Sequence, residues 1–355
     1  MPPPAGRATI VDVARRARVS AATVSRVLNG SATVSAPTAQ RVRRAVQALD
    51  FRPNLAGRSL RATRTRSLGV VVPTLTNPVF AECLAAMEAT ARAHGHTLGL
   101  ASTGYDAAAE ADAVEALLRQ RVDGLVLTVT DAARNRVLDR LDRERVPYVL
   151  AFNQLPRADR PTVSVDNRAA AREVVTHLIG LGHRAIRMVT GQFRQSDRAR
   201  LRYRGYSDAM RAAGLDPLPP LQMPFLAPDA RVQLVEGLAA RPRPTALFCS
   251  NDYLALTVIR DLAALGRAVP GDVSVAGFDG IRIGELTVPA LTTVVQPAAV
   301  IGRTAVELLM QRIGCAPAAA PELLAHAVRF GGTTAAAVDA AGVGRAPAPV
   351  RSTLA

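Results

Sequence analysis

An all-α helix-turn-helix headpiece, followed by an α/β core of two Rossmann-like lobes, is the architecture this chain predicts. Three observations point to it. Thr9 to Gly30 (TIVDVARRARVSAATVSRVLNG) reads as two short helices with a tight turn between them, in a segment dense with arginine. From Ser67 onward, short β-branched apolar runs alternate with amphipathic helix patterns; continuous runs of this kind mean parallel sheets covered on both faces. The alternation comes as two series, hence two lobes. At 355 residues the chain is long enough for two to three compact units, and at 49% apolar those units can bury proper cores.

Taken in order, the headpiece predicts helices at about 9–17, 20–29 and 36–49. Thr9 and Asp12 form a capping-box pair for the first, Ser20 caps the second and Ser35 the third. Val24, Val27 and Leu28 supply the core face of the second helix. Residues 50–66 are a basic joint with one short helix, Asn54 to Arg61. The first lobe then runs SLGVVVP (67–73), helix 78–94, TLGLAS (97–102), helix 107–121, GLVLTV (124–129), helix 134–145 and PYVLAF (147–152). The second runs TVSV (162–165), helix 167–181, AIRMVT (185–190), helix 199–213, ALFCS (246–250), helix 252–265 and VSVAGF (273–278). A last helix near 298–312 and a strand near 323–329 return to the first lobe. The expected division is therefore 1–50 headpiece, 51–66 linker and 67–334 core. Within the core, the first lobe takes about 67–161 and 294–325, and the second about 162–293. Residues 335–355, rich in Ala, Gly and Pro without periodicity, are expected to be a mobile tail.

Charge separates the two parts. Between Met1 and Arg66 stand 13 arginines against two acids, so +11 of the formal +15 lies in that segment. There is no lysine; all 44 basic side chains are arginine, a bias that goes with a GC-rich genome. The number of arginines therefore says little, while their lopsided distribution says more: a basic end with a helix-turn-helix pattern is the electrostatic footprint of a duplex-DNA binder. No run of about 18 uncharged apolar residues exists, which argues against a membrane partner. The opening MPPPAGRATIVDV has no apolar signal region, so the expected location is the cytoplasm, at the nucleoid. Cys83, Cys249 and Cys315 are odd in number and far apart, and read as free thiols. His94 and His96 form an HxH without a third ligand nearby, and no metal or cofactor is expected. No nucleophile elbow, phosphate loop or marked carboxylate pair occurs.

VSAATVSRVLNG, then RPNLAGRSL at 52–60, then a two-lobed core together resemble the LacI/GalR family of bacterial transcription repressors over residues 9 to about 334. The resemblance implies a periplasmic-binding-protein-like core, no catalysis, and a homodimer that binds a palindromic double-stranded operator under control of a small molecule: a sugar, sugar acid or sugar phosphate. It implies that Ala21, Ala22 and Arg26 read bases. Two alanines can only touch a thymine methyl or leave room; Arg26 is the one long donor, suited to guanine O6/N7. Thr9, Thr23, Ser25 and Asn29 would contact phosphates or hold register. Asn54 to Arg61 matches the family's hinge helix, with Leu60 as the minor-groove wedge and Gly57, Arg58 and Arg61 beside it. Gly57 stands where the family usually has alanine, at about 1 kcal/mol of helix propensity. Arg18 stands where it usually has a turn glycine, and a left-handed backbone there would cost about 1–2 kcal/mol.

In the core the resemblance implies effector contacts from Phe80 (in TNPVFAE), Thr128, Asn153, Arg202 (in SDRARLRYRGY), Asn251 (in SND), Asp279 (in GFDG) and Gln296 (in TTVVQP). These fall outside the carboxyl ends of strands, where open α/β sheets bind ligands. Asn251 and Asp279 also read as helix caps and Phe80 as plain core. Arg194, Arg198 and Arg200 read as solvated; if one or two face the cleft, the ligand is anionic. Gly280 replaces the family's frequent second acid. Two other classes remain to be weighed. A transporter's sugar-binding protein would share the core but not the basic headpiece. An α/β enzyme carrying a DNA-binding domain finds no support in any catalytic motif.

Overall fold

The computed structural model describes residues 8–28, 34–51, 65–155, 160–223, 230–239, 241–314 and 322–337. It divides into two compact units, one up to Thr65 and one from Arg66.

In the first unit, α1 (Ile10–Ala17), α2 (Ala21–Leu28) and α3 (Ala36–Ala48) close around Val13, Ala14, Ala17, Val24, Val42 and Ala45, with Val27 and Leu28 packed against them. α1 begins with the expected capping box: Thr9 Oγ1 accepts the Asp12 amide while the Asp12 carboxylate accepts the Thr9 amide at 2.9 Å. Ser20 Oγ accepts the Thr23 amide at 3.1 Å and caps α2. Ser35 sits at the N-cap position of α3, but its hydroxyl turns to Thr38 Oγ1 at 3.0 Å and accepts no backbone amide, so the expected cap is not made. Between α1 and α2, Arg18 adopts φ 54° and ψ 51°; the left-handed turn is kept and its strain is borne by a non-glycine residue.

The second unit holds two six-stranded sheets. β1 (Ser67–Val72), β2 (Thr97–Ser102), β3 (Gly124–Leu127), β4 (Tyr148–Ala151), β5 (Thr162–Val165) and β11 (Glu322–Leu324) form the first, all parallel, in the order β11-β5-β4-β3-β1-β2. β6 (Ile186–Thr190), β7 (Leu221–Gln222), β8 (Ala246–Cys249), β9 (Ser274–Asp279), β10 (Thr292–Val295) and β12 (Ala327–Arg329) form the second, in the order β12-β10-β9-β8-β6-β7, with only the β10–β12 pair antiparallel. β3, β4, β5, β6, β8 and β9 are buried along their whole length, as uninterrupted apolar runs require.

Helices α4 (Pro78–Ala93), α5 (Ala107–Arg119), α6 (Arg136–Arg143) and α12 (Ala298–Ile313) cover the first sheet. α7 (Asn167–Gly180), α8 (Asp197–Ala212), α9 (Ala230–Ala239) and α10 (Asp252–Ala264) cover the second, and a short α11 (Ile283–Leu286) follows β9. α7 and α8 cross closely at Gly205, where a Cβ would lie 2.1 Å from the Arg168 carbonyl oxygen. The approach is available only to glycine.

Three expectations are corrected. TVSV at 162–165 pairs with β4, so it belongs to the first sheet and the second lobe starts after Val165. The run 323–329 is two strands: β11 pairs with β5, and after Ala325 and His326 the chain has crossed to pair with β10. Residues 335–337 belong to the second lobe, not to a tail. The Ala335 amide donates to Ser274 Oγ at 3.1 Å, its carbonyl lies 3.1 Å from His183 Nε2, and the Ala337 amide donates to the Leu181 carbonyl at 2.8 Å. No helix among the described residues is long and apolar enough to cross a membrane.

Candidate DNA-reading face and candidate effector cleft

On the headpiece, Ala21, Ala22 and Arg26 are exposed, while Val24 between them is fully buried. Thr23 is half-buried, with its hydroxyl 2.9 Å from that of Ser20; Ser25 is also half-buried. Thr9 is exposed, and its hydroxyl donates to Asp12 Oδ2 at 2.6 Å. That bond, with the Thr9 amide, holds the Asp12 carboxyl below its ordinary value, and Arg15 adds to the effect. Arg15, Arg16, Arg18, Arg41, Arg43 and Arg44 are all exposed, so the surface is strongly positive. Asn29, Gly57, Arg58, Leu60 and Arg61 lie outside the described residues, as does Cys315.

In the core, a cavity of about 400 Å³, open mouth included, lies between the carboxyl ends of the strands of the two sheets. Of the residues proposed from the sequence, Phe80, Arg202, Asn251, Asp279 and Gln296 line it. Asp279, at the end of β9 with φ 124°, is the centre of its polar network. Its Oδ2 accepts Asn77 Nδ2 from the first lobe at 3.0 Å, and Oδ1 accepts Gln296 Nε2 at 2.8 Å. Arg202 Nη1 reaches Oδ1 at 3.4 Å. Arg202 is held on every side: Nε donates to Asn167 Oδ1 at 2.9 Å, Nη1 to the Ser250 carbonyl, and the guanidinium lies 3.6 Å over the Phe278 ring. Burial pulls its pKa down to about 10, opposed by the Asp279 charge. Burial raises the Asp279 carboxyl, opposed by Arg202, Asn77 and Gln296. Both groups therefore reach the cleft already oriented. Gly280 has φ +76°, and a Cβ there would stand 2.6 Å from Val295 Cα, so no second acid fits.

Asn251 is a helix cap that also borders the cavity. Its Oδ1 accepts the Leu254 amide at 2.7 Å and caps α10, while the residue lines the cavity. Next to it, Asp252 is fully buried: Oδ2 accepts the Ile281 amide at 2.8 Å, and Oδ1 accepts the Thr293 hydroxyl. Burial, then the Asp279 charge, pushes its pKa up to about 7. On the first-lobe side, Phe80 meets Phe152 edge-on at 5.2 Å between ring centroids, and Tyr105 completes an aromatic wall.

Two expected contacts do not reach the cavity. The Thr128 hydroxyl donates to the Ala151 carbonyl at 3.0 Å. Asn153 clamps residue 129, accepting its amide and donating to its carbonyl, both at 2.9 Å, and also donates to Asp197 Oδ2 at 2.8 Å. Both are buried; Thr128 ties first-lobe segments to each other, and Asn153 also reaches the second lobe at Asp197. In their place stand Asn77, Tyr105, Phe152 and Ser196, which sequence reasoning missed, and Arg198, which it took as solvated. Arg198, expected to be solvated, is buried: Nη1 donates to the Val129 carbonyl at 2.9 Å and to Asp197 Oδ1 at 3.1 Å. The signal was present, because Arg198 precedes Arg202 by four residues on one helix and so shares its face. Arg194 is exposed, and Arg200 pairs with Asp131 at 2.7 Å.

The start of α8 thus bridges the lobes. The Asp197 amide donates to the Thr130 carbonyl at 2.8 Å, and Asp197 Oδ2 accepts the Ala132 amide at 3.1 Å. His96 stacks its contacts elsewhere, 3.4 Å from Asp123 and 3.0 Å from the His94 carbonyl. Among the described residues no cluster of three or more His, Cys, Asp or Glu could hold a metal. Cys83 and Cys249 are buried, which pushes both thiols up.

Residues 9–54 match the model of bacterial regulatory proteins of the lacI family, and residues 175–334 match a periplasmic binding protein-like domain. The HTH-type transcriptional repressor PurR of Aliivibrio salmonicida is 34% identical over 309 residues, 86% of this chain and 92% of its own. Catabolite control protein A of Priestia megaterium is 33% identical over 85% of this chain and 91% of its own. Among solved structures, the lac repressor dimer bound to operator and the anti-inducer ONPF superposes with a TM-score of 0.82 at 27% identity, over 93% of this chain and 100% of that one.

Proposed function

The chain belongs to the LacI family of bacterial regulatory proteins, and from that premise we propose that it binds a palindromic operator as a homodimer, switched by a small sugar or sugar derivative in the core cleft. It is a DNA-binding transcriptional repressor and not an enzyme. In this reading residues 1–50 read DNA, 51–66 link, and the core from 67 binds ligand and dimerises. Arg26 reads a base, and Ala21 and Ala22 set the room beside it. Thr9, Thr23, Ser25 and Asn29 meet phosphates, although Thr9 must share its hydroxyl with Asp12. Gly57, Arg58, Leu60 and Arg61 act in the minor groove. The protein works in the cytoplasm, at the nucleoid.

The observation that carries ligand control is the Asp279 network. A buried carboxylate of the second lobe, oriented by Arg202 and Gln296, is bonded to Asn77 of the first. A ligand that competes for those bonds acts on both lobes at once. The test is titration of a palindromic operator, selected from random duplex DNA, by the full chain at fixed salt, with and without a panel of sugars and sugar derivatives. Two protomers per palindrome and a ligand-dependent shift in affinity are expected. A stable monomer on one half-site removes the dimer reading, and indifference to the whole panel removes the ligand reading.

A further inference from the structure

Several acceptors on the wall of the cleft are already engaged. Asn77 Oδ1 accepts the Val79 amide at 3.3 Å, Asn251 Oδ1 the Leu254 amide at 2.7 Å, and Ser196 Oγ the Ala199 amide at 3.2 Å. Both oxygens of Asp279 are taken, by Asn77 on one side and by Gln296 and Arg202 on the other. Donors remain, and Arg198 is the clearest. Its side chain is 6% exposed and it lines the cavity, yet its Nη2 is buried without a hydrogen-bond partner among the described residues. Asp197 does not complete it. Asp197 Oδ1 is bonded to Nη1, and Oδ2 is taken by the Ala132 amide and Asn153. A buried guanidinium N–H without an acceptor is uncommon, and the group keeps its charge at every physiological pH.

We propose that the ligand of this cleft carries an anionic oxygen group, a carboxylate or a phosphate ester, and that the Arg198 guanidinium is the donor that selects it. A sugar hydroxyl would satisfy the guanidinium as an acceptor, but only through an uncharged oxygen. A carboxylate or phosphate oxygen only accepts, and its hydrogen bond to a guanidinium is charge-assisted. The carbon skeleton of the ligand lies against Phe80, Phe152 and Tyr105. The inference rests on reading the cleft as the effector site.

The experiment is calorimetry on the full chain with glucose, glucuronate, gluconate and glucose 6-phosphate, and with the corresponding neutral, acid and phosphate forms of galactose and ribose. At least one acid or ester is expected to bind about ten- to a hundredfold more tightly than its parent sugar. The acid and ester arms tell the two anion sources apart. Arg198→Gln is expected to lose that advantage, while Arg198→Lys, which keeps the charge, retains part of it. Thermal unfolding without ligand shows whether each variant is folded, and the lysine variant supplies the comparison if the glutamine variant is not. Equal binding of parent sugars, an advantage that survives Arg198→Gln, or no binding by any acid or ester overturns the proposal. A neutral sugar that binds and shifts operator affinity overturns the anionic class but leaves ligand control standing; a chain that answers to no small molecule loses both.

Discussion

Arg26 projects from the same exposed face as Ala22, four residues earlier, while Val24 anchors the opposite side of the helix in the headpiece core. Arg26→Ala is expected to relax preference at one base pair per half-site by about 1–3 kcal/mol. Competition between single-base operator variants measures this, and an unchanged preference takes Arg26 out of base reading. Asp252 makes a prediction about pH. Its carboxyl rises from 3.8 to about 7 on folding, so the folded chain holds that proton more tightly than the unfolded one. Its contribution therefore favours the folded state at low pH and is lost as pH rises from about 4 through about 7, with a slope of at most about 1.4 kcal/mol per pH unit. Asp252→Asn should flatten that part of the curve in denaturant unfolding across pH. The amide can still accept from Ile281 N, and the Thr293 hydroxyl can turn to the Val294 carbonyl. A variant whose stability tracks wild type at every pH would show that folding does not raise the Asp252 carboxyl. What was legible at this scale was which ends of which strands face the cleft. Thr128 and Asn153 share that signal with Asp279 and Asn251, but position on a strand end does not say whether a side chain turns outward or back onto a neighbouring carbonyl.

Elements were easier to read than their partners. Uninterrupted apolar runs identified most of the long buried strands, and caps placed the helices to within a few residues. α9 was missed because its apolar residues are spread around it: Leu234 and Leu238 are buried while Val232 and Val235 are exposed. β5 and β12 were put with the wrong neighbours because a four-residue run looks the same in either sheet; its pairing is decided by where the chain crosses over. The close α7–α8 crossing yields a prediction. Gly205→Ala would drive its methyl into the Arg168 carbonyl and push the helices apart, costing about 1–3 kcal/mol. It would also move Arg202, one turn earlier, away from Asn167. Denaturant midpoints check the first effect and ligand affinity the second; an unshifted midpoint contradicts it. For the proposed hinge, Leu60→Ala is expected to weaken binding to the specific site far more than to random DNA. Equal loss on both would mean that Leu60 is not a wedge.

For the whole molecule, the concentration of +11 in the first 66 residues makes operator affinity steeply dependent on salt, and each exposed arginine that meets a phosphate adds about 0.9 to the slope of log affinity against log salt. Arg41→Ala or Arg44→Ala should lower that slope without changing base preference if those residues meet phosphates. A ligand at about 100 times its dissociation constant should stabilise the core by about 2.7 kcal/mol, which a thermal shift detects. The chain also passes between the lobes three times: after Val165, after Val295, and between Leu324 and Ala327. Neither lobe is a continuous stretch of sequence, and this bears on the order in which the protein comes into being. The first lobe starts at Ser67, yet it lacks the apolar face of Ala298–Ile313 and its edge strand Glu322–Leu324 until almost all of the chain has left the ribosome. Most of the second sheet, from Ile186 to Val295, is already made by then. The lobe begun first waits for its core helix until the central strands of the other are made, and a nascent chain halted near Pro297 displays the unfilled side of Met87, Ala91 and Val149 to whatever chaperone is at hand.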